Sequence, residues 1–388
     1  MNDRYARFLF STIPLLLFSM FSQAKPVIQS ADISESSGKE ILTISGSGFG
    51  QGPSVALYDT FDNGFAGEIV SGVNAAVDGW HSLKAKYTDA DARSGSLSAL
   101  VAENQNITGM VFGVADSEGM HGLKHFTEVY FSYSIKDLGV FPGANGTATS
   151  FSTESATKDA WMMFGWRGDN TDYAVNTLGV EQGHDLYIPA WTGAGFNVAG
   201  NETQMTPSYW QPMINDLWAF DDWNTVSFHA KLDVNNPYGN ADGFVEFISS
   251  KGYAINLRSG NLMSDQVSEG VSVAAWDRIG FMSWVRKTEG MERVMDDIYV
   301  ALGDNSNARV ILSDAPTFDG STKVVHLLPL TWGDQQITID YSAAKIKGDE
   351  PIYLHVIDGF NIGVATGHLL QTTRAKPPSN FSATTSSN

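Results

Sequence analysis

Eight histidines are scattered over the 388 residues, and one of them sits where it could do chemistry. In the run Trp223-Asn224-Thr225-Val226-Ser227-Phe228-His229-Ala230-Lys231-Leu232-Asp233, His229 and Lys231 stand two apart on the polar side of a strict alternation. Elimination across a uronate polymer needs a His or Tyr to take a proton next to the carboxylate, and an Arg, Asn or Gln to neutralise that carboxylate. His229, Lys231, Arg167 and Tyr130 are the catalytic candidates, with His121, His125, His184 and Tyr187 as a wider pool. Taken singly, each is more ordinarily a surface or edge residue of a wide sheet.

Hydrolysis by paired carboxylates has less support. A retaining enzyme needs two carboxylates on one face of the chain, flanking the glycosidic bond. Asp296 and Asp297 are adjacent and so should face opposite sides of a strand, while Glu128 and Glu246 stand alone. No His/Cys constellation has zinc spacing, and no nucleophile elbow suggests acyl transfer. Sugar binding has a richer supply. Trp161, Trp166, Trp191, Trp210, Trp218, Trp223, Trp276 and Trp284 are more tryptophans than one sandwich core comfortably hides. Indole rings stack on the C–H faces of sugars, while Arg, Asn and Asp bond the hydroxyls. Trp191, Trp210 and Trp218 lie in Gly- and Pro-rich contexts, and with Arg286 they are the ligand-binding candidates. Burial in the core is the default for any one Trp.

The elements that must position these residues are strands. Val226, Phe228, Ala230 and Leu232 point one way; Thr225, Ser227, His229 and Lys231 point the other. The predicted reading is an apolar face on a core and a polar face open to ligand. Asp242-Gly243-Phe244-Val245-Glu246-Phe247 alternates too, as a neighbouring strand of a large antiparallel sheet. Further strands are predicted at Glu128–Ile135, Trp161–Arg167, Asp185–Trp191, Ala254–Arg258, Arg278–Arg286 and Asp296–Val300. Aromatics at 12% and 38 glycines favour many short strands and tight turns. The fold class is therefore all-β.

Composition narrows the partners. The formal net charge of −19 argues against nucleic acid and anionic membranes, which need a basic surface. Residues 1–24 read as a signal peptide: Arg4 and Arg7, an apolar stretch from Phe8 to Phe21, then Ser22-Gln23-Ala24 as a cleavage site. A secreted or periplasmic protein is expected, with no membrane insertion once the signal is removed. With no Cys, such a fold relies on its core and not on disulfides. Residues 371–388, rich in Ser, Thr and Pro, read as a disordered tail.

Two resemblances organise the rest. Ile41-Leu42-Thr43-Ile44-Ser45-Gly46-Ser47-Gly48-Phe49-Gly50, followed by Pro53-Ser54-Val55, resembles the opening of immunoglobulin-like IPT/TIG domains. Trp332-Gly333-Asp334-Gln335-Gln336-Ile337-Thr338-Ile339 resembles the second half of such a domain. The Gly-rich turn is not a phosphate cradle, because neither a Lys-Ser/Thr pair nor a helix pattern follows. Residues 25–58 and 306–370 would form one discontinuous Ig-like domain, or the C-terminal part would fold independently with the N-terminal strands added to it or to the sandwich.

Between them, residues 59–305 resemble the concanavalin A-like lectin/glucanase jelly rolls. The resemblance rests on Ser94-Gly95-Ser96-Leu97-Ser98, the Trp223–Lys231 strand, the Asp242–Phe247 strand and Asp296-Asp297-Ile298-Tyr299-Val300. It implies a large antiparallel jelly-roll sandwich plus a smaller Ig-like one, and binding of an extracellular polysaccharide. A polysaccharide lyase is the alternative, and a structural or adhesive surface protein the third reading. The E-x-D-x-x-E run of glucanases of this fold is absent. The resemblance also implies calcium near the last strand, with Asp296 and Asp297 as ligands; a solvated acidic strand edge accounts for them equally well.

Overall fold

The computed structural model describes residues 25–70, 81–82, 85–101, 110–112, 126–138, 157–164, 175–182, 196–198, 219, 222–232, 240–249, 253–264, 278–285, 292–342, 346, 350–360, 363–364 and 366–371. These residues are all-β, apart from one short 3-10 turn at Phe318–Gly320. In chain order the first strands are β1 (Val27–Ser36), β2 (Lys39–Ser47), β3 (Ser54–Asp59), β4 (His81–Ser82), β5 (Lys86–Thr88), β6 (Ser98–Val101) and β7 (Met110–Phe112). Next come β8 (Glu128–Asp137), β9 (Thr157–Phe164), β10 (Val175–Gln182), β11 (Phe196–Val198), β12 (Asn224–Leu232), β13 (Asn240–Ser249) and β14 (Tyr253–Ser264). The last are β15 (Arg278–Val285), β16 (Arg293–Leu302), β17 (Arg309–Ser313), β18 (Val324–Trp332), β19 (Gln336–Asp340), β20 (Ile352–Ile357) and β21 (His368–Gln371).

Two sheets make the larger sandwich. The nine-stranded one runs β11-β14-β13-β12-β8-β16-β6-β5, with β3 also paired to β16. The five-stranded one runs β10-β9-β15-β7-β4. The alternation of β12 sets which side faces inward. Phe228 is fully buried and its ring stacks on Phe131 of β8 at 5.1 Å; Phe131 in turn meets Phe281 of the five-stranded sheet edge-on at 5.7 Å. Val226, Tyr133, Ile135, Ile279 and Phe281 are buried as well.

The third sheet joins both ends of the described chain, in the order β1-β2-β19-β18-β17-β20-β21. A two-residue turn, Ser37-Gly38, closes the β1–β2 hairpin with both residues at positive φ, as a turn matching strand twist requires. β18 serves two layers. Val324–Leu327 pairs with β17, and Leu328–Trp332 pairs with β19 after a register shift between Pro329 and Thr331. β2 pairs with β19, Ile44 opposite Ile337 and Leu42 opposite Ile339. Leu42, Ile44, Val310, Leu312, Leu327, Ile337, Ile339, Leu354 and Val356 fill the space between the layers.

The two glycine-rich motifs close on each other. Gly46 N donates to Gln335 O at 2.9 Å, Gly50 N to Asp334 Oδ1 at 3.0 Å, and Trp332 Nε1 to Phe49 O at 3.3 Å. Gly46 has to be glycine, because a Cβ there would lie 2.0 Å from Val27 O. Phe49 is thereby turned into the core.

The seven-stranded sheet also packs over the outer face of the nine-stranded one. Tyr58, Tyr130, Tyr299 and Ala301 join its core, and Ile248 of β13 packs with Ile311, Val324 and Ile357. One expectation is corrected by this. The polar face of β12 is not open to ligand: Thr225 and Ser227 are 3% exposed and His229 is 8% exposed. Short hydroxyl side chains make close packing there workable, since they satisfy one another. Ser134 Oγ lies 3.0 Å from Thr225 Oγ1, and Ser227 Oγ donates to Ser132 Oγ at 3.0 Å. Only toward the end of β12, at Lys231, does this face reach solvent.

Candidate functional site

Antiparallel register brings the first group together. Lys231 stands directly opposite Glu128, and His229 opposite Tyr130, on neighbouring strands. The Glu128 carboxylate therefore receives Lys231 Nζ at 2.5 Å and lies 3.1 Å from His229 Nε2. Glu128 and His229 are buried, whereas the Lys231 side chain is 54% exposed. Burial alone would raise the Glu128 pKa. The hydrogen bonds from His229 and Lys231 outweigh it and hold the group below its usual range. The result is an anchored anion at the rim of the sheet, held by a half-exposed lysine on one oxygen and a buried imidazole on the other.

Tyr130 went elsewhere. It is fully buried, its hydroxyl 2.8 Å from His326 Nε2 and its ring 4.6 Å beneath the Arg309 guanidinium. Burial, with Arg309 opposing it, pushes its pKa up to about 12. Arg309 binds Glu246 at 3.2 Å and donates to Asn307 O at 2.8 Å, and Tyr299 stacks on His326 at 5.1 Å. Burial first, and then the Arg309 charge, holds His326 well below its ordinary pKa, so it stays neutral. This polar seam fastens the two sandwiches. Arg309 and His326 had no signal in the sequence, because partners at 130, 246, 309 and 326 meet only through the fold.

Asp296 and Asp297 correct a second expectation. They do not face opposite sides, because the register shifts between Asp296 and Tyr299 and Asp297 adopts φ 50°. The bulge turns both carboxylates to one loop. Asp296 Oδ2 accepts from Arg93 N at 2.8 Å and Ser94 N at 3.2 Å, its Oδ1 accepts from Asp297 N at 2.8 Å, and Asp297 Oδ1 accepts from Ser94 Oγ at 2.6 Å. Burial, and then the neighbouring Asp297 charge, raises the Asp296 pKa well above the usual range. Among the described residues no group of three or more His, Cys, Asp or Glu side chains converges as a metal cage.

Beside that loop lies a cleft of about 220 Å³ between the two sandwiches. Asp91, Arg93, Lys136, Asp222 and Trp223 line it from the larger one, and Lys323 from the smaller. Lys136 is tied to Asp91 at 2.6 Å and Lys323 to Glu350 at 3.1 Å. Among the described residues Arg93 Nε is buried with no hydrogen-bond partner. Sequence reading had not singled out any of these except Trp223. Arg167, Trp191, Trp210, Trp218 and Arg286 lie outside the described residues.

No family model matches the chain, and no curated protein matches it. Among solved structures, an alginate lyase from Chlorella virus is 10% identical at a TM-score of 0.33, covering 62% of this chain and 100% of that one. The receptor-binding domain of botulinum neurotoxin type G is 7% identical at a TM-score of 0.25, covering 86% of this chain and 72% of that one. Both scores are too low to argue from.

Proposed function

We propose that this chain is an exported protein that binds an extracellular polysaccharide at the rim of the nine-stranded sheet, through Lys231. The observation that carries the reading is the Lys231–Glu128–His229 group, in which a buried carboxylate holds a half-exposed lysine side chain in place near the end of β12. A fixed ammonium donates to sugar hydroxyls or pairs with a ring carboxylate, and a pre-placed donor loses little freedom on binding. The signal-like residues 1–24, the acidic composition and the tryptophan supply at Trp191, Trp210 and Trp218 support it from the sequence. The resemblance to concanavalin A-like sandwiches supports it as fold analogy.

One observation favours elimination as a second reading. His229 is oriented by a carboxylate, and a cation stands on the other oxygen of that carboxylate. In such a step His229, 8% exposed behind Glu128, would first have to be uncovered and would then take the proton next to the uronate carboxylate. The electron pair would form the ring double bond as the glycosidic C–O bond breaks, with the leaving oxygen protonated from solvent. Lys231 would neutralise the carboxylate. Tyr130 has no part in this, since its hydroxyl is buried against His326.

The test is a glycan array with the full chain and Lys231→Ala, together with the ultraviolet absorbance of unsaturated uronate ends. Binding by the full chain that Lys231→Ala weakens about tenfold, with no new absorbance, is the expected result; the loss of one charge-assisted hydrogen bond is worth about that much. New absorbance would replace the binding reading by the lyase. Binding untouched by Lys231→Ala would move the site elsewhere.

A further inference from the structure

The cleft between the sandwiches is built from groups that the rim does not use. Arg93 stands at its centre of charge. Among the described residues its Nε is buried without a hydrogen-bond partner, and the charges of Asp297, Asp222, Asp314 and Asp296 act on it. A buried guanidinium donor left unbonded is costly, so an oxygen from water or a ligand belongs against it. Asp222 is exposed and lines the cleft, and its Oδ1 accepts from Trp223 N at 2.8 Å. Trp223, Val325 and Ile346 supply apolar wall.

The charges decide the class of ligand. Lys136 and Lys323 already have carboxylate partners, and the carboxylates around Arg93 leave no excess of positive charge. A carboxylate or sulfate group can only accept hydrogen bonds, so it would satisfy Arg93 while setting one anion against another at Asp222. A hydroxyl accepts from Arg93 and donates to Asp222 at once. At about 220 Å³ the cleft is smaller than the roughly 300–1,000 Å³ of drug-sized pockets, which suits one ring and not a chain.

We infer that this cleft is a sugar subsite that takes one neutral pyranose ring, with Arg93 donating to a ring hydroxyl, Asp222 accepting from one, and Trp223 forming the apolar wall. The subsite rests on the polysaccharide reading above but not on the rim. Its occupant is a neutral unit, set against the acidic unit that Lys231 would select.

Titration of the full chain with neutral oligosaccharides and with uronate oligosaccharides separates the two. Asp222→Asn and Arg93→Gln should each weaken neutral-sugar binding about tenfold or more and leave uronate binding within about twofold. Lys231→Ala should do the reverse. Asp222 is exposed and Asn keeps the acceptor for Trp223 N, so that variant should fold even if Arg93→Gln does not. Neutral-sugar binding unchanged in Asp222→Asn overturns the subsite and leaves the rim reading standing. A full chain that binds uronates but no neutral sugar does the same. A full chain that binds no glycan at all overturns both.

Discussion

Two neighbouring residues on β12 should respond to truncation for different reasons. Phe228 is fully buried and stacks on Phe131 at 5.1 Å inside the larger sandwich. Cutting it to Ala removes its transfer energy and leaves a cavity, at a cost of about 3–5 kcal/mol. Alternation along the strand places His229 on a polar face open to ligand. The structure makes it 8% exposed and bonded to Glu128, so His229→Ala leaves a buried carboxylate with one partner fewer. Its expected cost is about 1–3 kcal/mol, between a surface change and a core cavity. Urea unfolding of both variants checks the order. A His229→Ala midpoint identical to wild type would mean that solvent reaches Glu128 more freely than its burial implies.

At the scale of the element, the bulge in β16 matters more than either aspartate alone. A regular strand would send Asp296 and Asp297 to opposite faces. With Asp297 at φ 50°, one side chain serves three backbone N–H groups, those of Arg93, Ser94 and Asp297. Asp296→Ala orphans all three at once. Each buried unsatisfied donor costs about 1–3 kcal/mol, although water can enter and recover part of it. A net loss of about 2–4 kcal/mol is expected, with faster amide exchange at Arg93 and Ser94 as the local signature. Unchanged exchange at those two amides would show that the loop is held by something else. Because Arg93 also lines the cleft, the same substitution should weaken neutral-sugar binding without touching the rim.

For the whole molecule, the joint between the sandwiches should be sensitive to acid. His326 in the seam and His355 in the seven-stranded sheet are both held below the ordinary value of 6.5, chiefly by burial. Folded, they stay neutral; unfolded, they take up protons as pH falls through 6.5. The unfolded state then binds more protons, so stability declines from about pH 6.5 downward toward the folded-state values. Asp296 works the other way, since its raised pKa favours folding as it protonates. His326→Gln separates the contributions, keeping an acceptor near the Tyr130 hydroxyl while removing the titration. Its stability-against-pH profile should be flatter than wild type by about one proton below pH 6.5. Parallel profiles would mean that His326 is protonated in the folded protein, against its burial.

The sequence by itself determined the local geometry. Strict alternation at Asn224–Leu232 and Glu128–Ile135 made these strands with two unlike faces, and Phe228 and Phe131 were bound to lie on the apolar one. Glycine spacing in the Gly46–Gly50 run marked a turn, because that chemistry is local. What covers the other face is not local. Thr225 and Ser227 read as polar positions open to ligand, yet they are buried, and the seven-stranded sheet packs over the same face at Ile248. The sequence also left open whether the first strands belong with the last. Tertiary structure decided it by pairing Ile41–Ser45 with Gln336–Asp340, nearly three hundred residues away. The bulge at Asp297, the Arg309–Glu246–His326 seam and the Arg93 cleft are likewise long-range. Each depends on contacts whose partners are set by packing, and periodicity along the chain carries no record of them.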